Sequence, residues 1–370
     1  MRRVVLVVPG LVGDVEQTSA LRQGLPTLLA IAERAEVFKI APLPPIETPE
    51  TLYLGMDPVE AQMRQGPLTV SALRADPPER STHFHLSLMS FDDGVASSSS
   101  FLPTKQDSDA IWEALAKLNT SKLTLLRGED LDHGLVWEGL GDMGMTTARE
   151  VAGKAVKPHL PEGDADRLLR RLIDDSVNLL SELELNEQRL EEGLPPFNLL
   201  WPWGQGVRQP VPNLLFRRGE RAIVESASMR LEGLTRLTGY VHEDRHLFGK
   251  GLQTKFRQIA RRALARTISI IFVESLVEFR GADSEEELFW LVRELDNEFL
   301  KPLMENREMD PVRLTILAPG PDGSLGLGLE FGVASTLENS APFDERALDE
   351  RKVPTFDLAR RVEAGVTLSS

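Results

Sequence analysis

Thr267-Ile268-Ser269-Ile270-Ile271-Phe272-Val273 is the clearest strand in the chain: a nearly unbroken run of β-branched and aromatic residues after a helical pattern that ends near Arg266. A strand with no regular polar alternation belongs in a sheet covered on both faces. Working outward, Val4-Val5-Leu6-Val7-Val8 before Pro9-Gly10 is a second such strand, and Val312 to Leu317 a third. A helical pattern runs through Leu21, Leu25, Leu28, Leu29 and Ile31. Another spans Ser284 to Met304, with Asp283 or Ser284 as N-cap and Glu285, Glu286 and Glu287 offsetting the macrodipole in its first turn. Strand and helix in alternation predict an α/β fold, a parallel sheet flanked by helices.

The chain has 370 residues and a formal net charge of −15. That length suits two domains, or one large α/β unit carrying an insertion. The acidic excess argues against nucleic-acid binding, which needs a basic face. Cysteine is absent, which excludes disulfides, thiolate zinc sites and cysteine nucleophiles and fits a cytoplasmic protein. The N-terminal apolar run is too short for a signal peptide, and no stretch reaches the length of a membrane span. Imidazole chemistry is restricted to His83, His85, His133, His159, His242 and His246.

Between the outer strands the pattern changes. Pro42 to Thr51 holds four prolines and reads as a rigid loop. Residues 83 to 90 alternate as a half-buried strand, 97 to 100 form a Ser-rich loop, and 123 to 126 form another strand. Helical patterns fall at 108–118 and 164–185, and Phe197 to Trp201 is a short apolar run. The expected organisation is a core from residues 1–59 and 196–370, with 60–195 inserted as a smaller α/β cap domain.

The most specific motif is Asn186-x-x-Arg189-x-x-x-Gly193-x-x-Pro196-x-Asn198, followed by Trp201-x-Trp203-Gly204-Gln205-Gly206. Leu54-Gly55-Met56-Asp57-Pro58, Gly66-Pro67-Leu68, Gly153-Lys154, Leu160-Pro161-Glu162-Gly163, His133, Arg236-Leu237-x-Gly239 and Glu294-Leu295-Asp296 accompany it. Together they resemble the archaeal-type cofactor-independent phosphoglycerate mutases of the alkaline-phosphatase superfamily, over nearly the whole chain. The resemblance implies an alkaline-phosphatase-like parallel core with an inserted cap. It also implies a chemistry in which two divalent metals, manganese or magnesium, assist a serine that relays a phosphoryl group between two hydroxyls of phosphoglycerate.

The positions that would carry this chemistry hold other residues. The family's first strand ends in Asp-Gly; here it ends in Pro9-Gly10. Its nucleophile stretch P-P-G-S-D corresponds to Pro44-Pro45-Ile46-Glu47-Thr48, which puts Ile46 at the serine. The ligand Asp and His of V-E-A-P-D-E-A-G-H become Val277 and Gly281, and those of L-P-D-H-P become Pro319 and Gly320. A later family histidine finds none in 326–333. A dication gives up its hydration shell only to an anionic or imidazole cage, so neither a metal cofactor nor a covalent route is expected.

Other residues offer weaker readings. His83 and His85 share one strand face, where a metal pair competes with ordinary hydrogen bonding. His242-Glu243-Asp244-Arg245-His246 matches H-E-x-x-H literally, and a zinc site at His242, Glu243 and His246 competes with a charged loop. Lys255, Arg257, Arg261, Arg262 and Arg266 read as a solvated basic helix face, and Trp201 and Trp203 as packing between cap and core. Arg64, beside the family's R-G-P-L arginine at Gln65, together with His85 and Arg208, forms an anion-binding candidate. The expectation is a mutase-like protein with a non-catalytic binding or regulatory role, whose partner is a phosphorylated small molecule or a protein, with no nucleic acid or membrane. The alternatives are an active mutase converting 3-phosphoglycerate to 2-phosphoglycerate or a phosphatase, with relocated manganese or magnesium ligands, and a hydrolase built on His242 to His246.

Overall fold

The three apolar runs lie side by side in the computed structural model, which describes residues 2–12, 24–43, 48–56, 60, 62–98, 102–243, 245–248, 251–276, 285–306, 311–320, 325–332 and 355–356. Backbone contacts divide the chain into two units, Met1–Gln62 with Val211–Ser370, and Met63–Pro210.

In the first unit β1 (Arg2–Val7) is hydrogen-bonded in parallel to β13 (Ile268–Phe272) on one side and β14 (Val312–Ala318) on the other. The full sheet adds β2 (Glu36–Ile40), β11 (Ile223–Glu225), β12 (Val241–Glu243), β15 (Gly326–Phe331) and β16 (Thr355–Phe356), in the order β12-β11-β13-β1-β14-β15-β2-β16. The first five strands of that order are parallel, as expected, but β15 runs antiparallel to both its neighbours. Only residues 319–325 separate β14 from β15, too few for a parallel crossover.

Val4, Leu6, Val8, Ile271, Val273, Leu314 and Ile316 form one core cluster with α1 (Pro26–Ala32), α7 (Phe256–Leu264) and α8 (Glu285–Glu294). The intervening Val5, Val7, Ile270, Phe272 and Leu317 are buried too, so both faces are covered. On the second face Tyr53 of α2 (Glu50–Tyr53) meets the Phe272 ring edge-on at 6.0 Å. The helix expected over 284–304 continues from α8 through a π-helical turn, Leu295–Leu300, into Lys301–Glu305. Its N-cap, Asp283 or Ser284, lies outside the described residues, as do Ile46, Asp57, Pro58, Asp244, Val277 and Gly281.

The second unit is antiparallel. Its sheet runs β5 (Leu123–Glu129), β6 (Asp132–Trp137), β3 (Thr82–Asp92), β4 (Val95–Ser97), β8 (Lys154–Ala155), while β10 (Leu199–Gly206) pairs with β3. A small pair joins β7 (Met143–Gly144) to β9 (Glu162–Gly163). Phe84, Leu86 and Leu88 pack with α4 (Lys105–Leu115) and α5 (Asp166–Ser181) on one face. On the other, Gly134 lets Leu73, just past α3 (Gln65–Ala72), approach β6 closely.

The pairing of β10 with β3 moves a boundary. The sequence placed everything after residue 195 in the core, yet Leu199 to Trp203 are registered against Met89 to His85, so the second unit extends to Pro210. A one-dimensional reading has no access to this long-range partner.

Candidate functional site

The strongest motif is a backbone clasp inside the second unit. The Asn186 amide is fully buried: its oxygen accepts from Phe197 N–H at 2.7 Å, and its nitrogen donates to Leu180 O at 2.8 Å and Phe197 O at 3.0 Å. Arg189 donates to Pro195 O at 2.9 Å and lies 4.0 Å over the Phe197 ring. Asn198 continues the ladder beside β3, accepting from Phe91 N–H and donating to Phe91 O. The Trp201 indole N–H donates to Thr146 O at 2.8 Å, and that of Trp203 to Ser87 Oγ at 2.9 Å. Both tryptophans therefore have hydrogen-bond and packing partners within the second unit.

The Gly-rich half of the motif meets α3. At Gly66 a Cβ would collide with the carbonyl oxygen of His83 and come within 2.8 Å of Gly204 O. A Cβ on Gly204 would sit 2.6 Å from the Cβ of Gln65, and one on Gly206 would sit 2.8 Å from that of Arg64. Glycine at these positions lets the start of a helix rest on strand backbone. Arg64 is the exposed N-cap position of α3, and Arg208 is exposed two residues beyond Gly206. The two sequence-nominated arginines thus flank one glycine.

His85, the third member of that set, is buried. Its Nε2 lies 3.1 Å from Asp132 Oδ1, its Nδ1 2.8 Å from Thr69 Oγ1, and the Trp203 ring stands edge-on at 4.8 Å. Both ring nitrogens of His85 are thus engaged by protein groups. His83 has its Nε2 3.0 Å from Ser81 Oγ, and burial, then Arg208, lowers its pKa to about 4. Each histidine of this pair has its own side-chain partners, Ser81 for His83 and Thr69 and Asp132 for His85. His133 lies on the opposite face, its Nδ1 accepting from Gly128 N–H at 3.0 Å; burial holds its pKa at about 4.

In the first unit, His242-Glu243-x-x-His246 is not helical. His242 and Glu243 are neighbours in β12 and project to opposite faces, while exposed His246 lies in a 3-10 turn, Arg245–Leu247. His242 Nε2 sits 3.0 Å from Ser226 Oγ, and its burial lowers the pKa to about 4. The Glu243 carboxylate is ion-paired with Arg266, with Arg262 at 3.7 Å. A literal sequence match therefore fails on secondary structure, which corrects the zinc reading. The basic helix face is likewise committed in part: Arg257 pairs with Glu298 at 2.8 Å, and Arg266 with both Glu225 and Glu243.

Sequence reasoning missed Asp296. Fully buried in the π-helical turn, it accepts from Thr27 N–H at 2.9 Å and Leu28 N–H at 2.8 Å, satisfying the open donors of α1. The only signal in sequence was its place in Glu294-Leu295-Asp296.

No protein-family model matches the chain. Among curated proteins, the 2,3-bisphosphoglycerate-independent phosphoglycerate mutase of Methanothrix thermoacetophila is 28% identical over 188 residues, 50% of this chain and 48% of that protein. The enzyme of the same name from Methanosarcina mazei is 24% identical over 272 residues, 71% of this chain and 68% of that protein. This chain is similar in sequence to those mutases. Its match spans about half of the Methanothrix protein and two-thirds of the Methanosarcina protein. Among solved structures, the cofactor-independent phosphoglycerate mutase of Thermoplasma acidophilum superposes with a TM-score of 0.58 at 17% identity, covering 98% of each chain. The PH0037 protein of Pyrococcus horikoshii superposes at 0.72 with 15% identity, covering 98% of this chain and 96% of that one. These similarities show a shared fold.

The mutase resemblance implies two metals at the carboxyl ends of the parallel strands, and among the described residues those that follow β1 and β14 do not fit them. After β1 come Val8, Pro9 and Gly10; after β14 come Pro319 and Gly320. Among the described residues no three His, Asp or Glu side chains converge as a metal site. Helices long and apolar enough to cross a membrane are absent among the described residues.

Proposed function

We propose that this phosphoglycerate-mutase-like protein is a non-catalytic binding or regulatory homologue that recognises a phosphorylated small molecule through its second unit. The observation that carries this reading is the residue set at the strand ends: Pro9, Pro319 and Gly320 bring no side-chain donor to a dication. The anion contacts are assigned to Arg64 and Arg208, two exposed residues, the first packed by its Cβ near Gly206 and the second close enough to buried His83 to lower its pKa. A phosphate there meets cationic forks close to the first N–H groups of α3 and needs no metal.

Thermal shift with 3-phosphoglycerate and other phosphorylated metabolites tests the binding. The expected result is stabilisation that weakens in Arg64→Ala and in Arg208→Ala. A mutase assay with added manganese tests the other half, and turnover by the purified protein overturns the non-catalytic reading. If no metabolite raises the midpoint, the phosphorylated-ligand reading falls and a protein partner takes its place.

A further inference from the structure

The carboxyl edge of the first unit's sheet carries an arrangement of paired charge that the sequence motifs do not reveal. Glu50 opens α2, directly after the stretch aligned with the family's nucleophile, and its side chain is 10% exposed. Its Oε1 lies 2.8 Å from the guanidinium of Arg230, in the first turn of α6 (Met229–Thr238). Helix α6 starts after β11 ends, with only Ser226, Ala227 and Ser228 between them. Tyr53, one turn along from Glu50, packs on Phe272, the last residue of β13. The ion pair therefore stands where ligands enter open α/β sheets, outside the carboxyl ends of the strands.

The neighbouring acids are matched in the same way. Glu225, at the end of β11, is wholly buried and pairs with Arg266, which is 13% exposed. Glu243, beside it in register at the end of β12, pairs with Arg266 and faces Arg262. Half-buried Glu274, after β13, is engaged with its surroundings as well. Three carboxylates at this edge thus face three guanidiniums. Glu50 and Glu225 are each held through Oε1 alone, their Oε2 atoms being buried without a hydrogen-bond partner, so a dication competing for Oε1 would have to displace a covalently attached cation.

We infer that this edge has exchanged metal-borne charge for side-chain charge: the Arg230 guanidinium held by Glu50, backed by Arg266 and Arg262 on Glu225 and Glu243, is its resident cation. The first turn of α2 is then fixed on α6 without a metal, and the protein folds to the same stability with or without divalent ions. The inference rests in part on the non-catalytic reading, since both require that no metal centre is built here, but it makes a separate claim about what holds α2 in place.

Unfolding of the full chain tests it, monitored by tryptophan fluorescence or calorimetry after dialysis against EDTA, with and without added manganese. The expected wild-type midpoint is the same within about 1 °C in both conditions. Arg230→Met, which strands a buried carboxylate, is expected to lower the midpoint by several degrees, and Glu50→Gln/Arg230→Met to recover most of that loss, because the unpaired charge is gone. Should Arg230→Met fail to fold, a double variant that does fold supports the inference equally, since only the stranded carboxylate separates the two proteins. A wild-type midpoint raised several degrees by manganese overturns the inference. So does an unchanged Arg230→Met protein, or a double variant no more stable than the single. Mutase turnover that needs no added metal, by a protein whose variants behave as expected, removes the non-catalytic reading and leaves this one standing; turnover that depends on manganese overturns both.

Discussion

The clasp in the second unit, where the chain resembles the mutases, and the carboxyl edge of the first, where it departs from their pattern, are held by opposite chemistry. Around Asn186 and Gly66 the contacts are neutral: amide to backbone, indole to carbonyl, glycine against strand. At the edge, carboxylates face arginines across Glu50–Arg230, Glu225–Arg266 and Glu243–Arg266. The difference separates packing from chemistry. Asn186, Gly66 and Gly204 answer to backbone geometry, which is the same whether or not a reaction follows. At the strand ends, where the resemblance implies metal ligands, Pro9, Pro319 and Gly320 satisfy the packing without an Asp or a His.

The largest expected effect falls on the charged side. Arg266→Met leaves Glu225 unpaired in a fully buried position and should cost about 4 kcal/mol in urea unfolding at pH 7.5. Burial already raises the Glu225 pKa against the pull of Arg266, so this loss should shrink as pH is lowered and the carboxyl takes up a proton. A loss that does not change with pH would assign the cost to lost packing.

The neutral side has its own pH signature. His133 has a folded pKa of about 4 against an ordinary 6.5, because burial disfavours the imidazolium. The unfolded chain then binds more protons between those values, so stability is full above about pH 6.5 and falls as pH drops towards 4, by up to about 3 kcal/mol for this residue. The stability–pH curve of His133→Gln should be flatter across that window, and a curve parallel to wild type would show that His133 does not carry the effect. Smaller still, Asn186→Ala should cost about 2 kcal/mol, since it strips partners from buried backbone groups of Phe197 and Leu180. Unlike the Arg266→Met loss, this one should not depend on salt.

Much of the main sheet was legible in sequence. The apolar runs at 4–8, 267–273 and 312–317 became β1, β13 and β14 with their neighbours, because a strand buried on both faces has no polar residues to disguise it. The reversed β15 and the late end of the second unit were not legible, since each depends on a distant hydrogen-bonding partner. The burial of His85 between Thr69 and Asp132 was not legible either, for the same reason.

Sequence alone determined which residues stand at the strand ends, and so that Pro9, Pro319 and Gly320 offer no side-chain donor, because ligand chemistry is a property of residue identity. Only the tertiary structure decided where the remaining charges go. An H-E-x-x-H string became a strand and a turn, and the acids of β11, β12 and α2 were each brought to an arginine far away in sequence. Pairing of that kind is set by the three-dimensional path of the chain, since an ion pair needs contact and residue spacing does not record it.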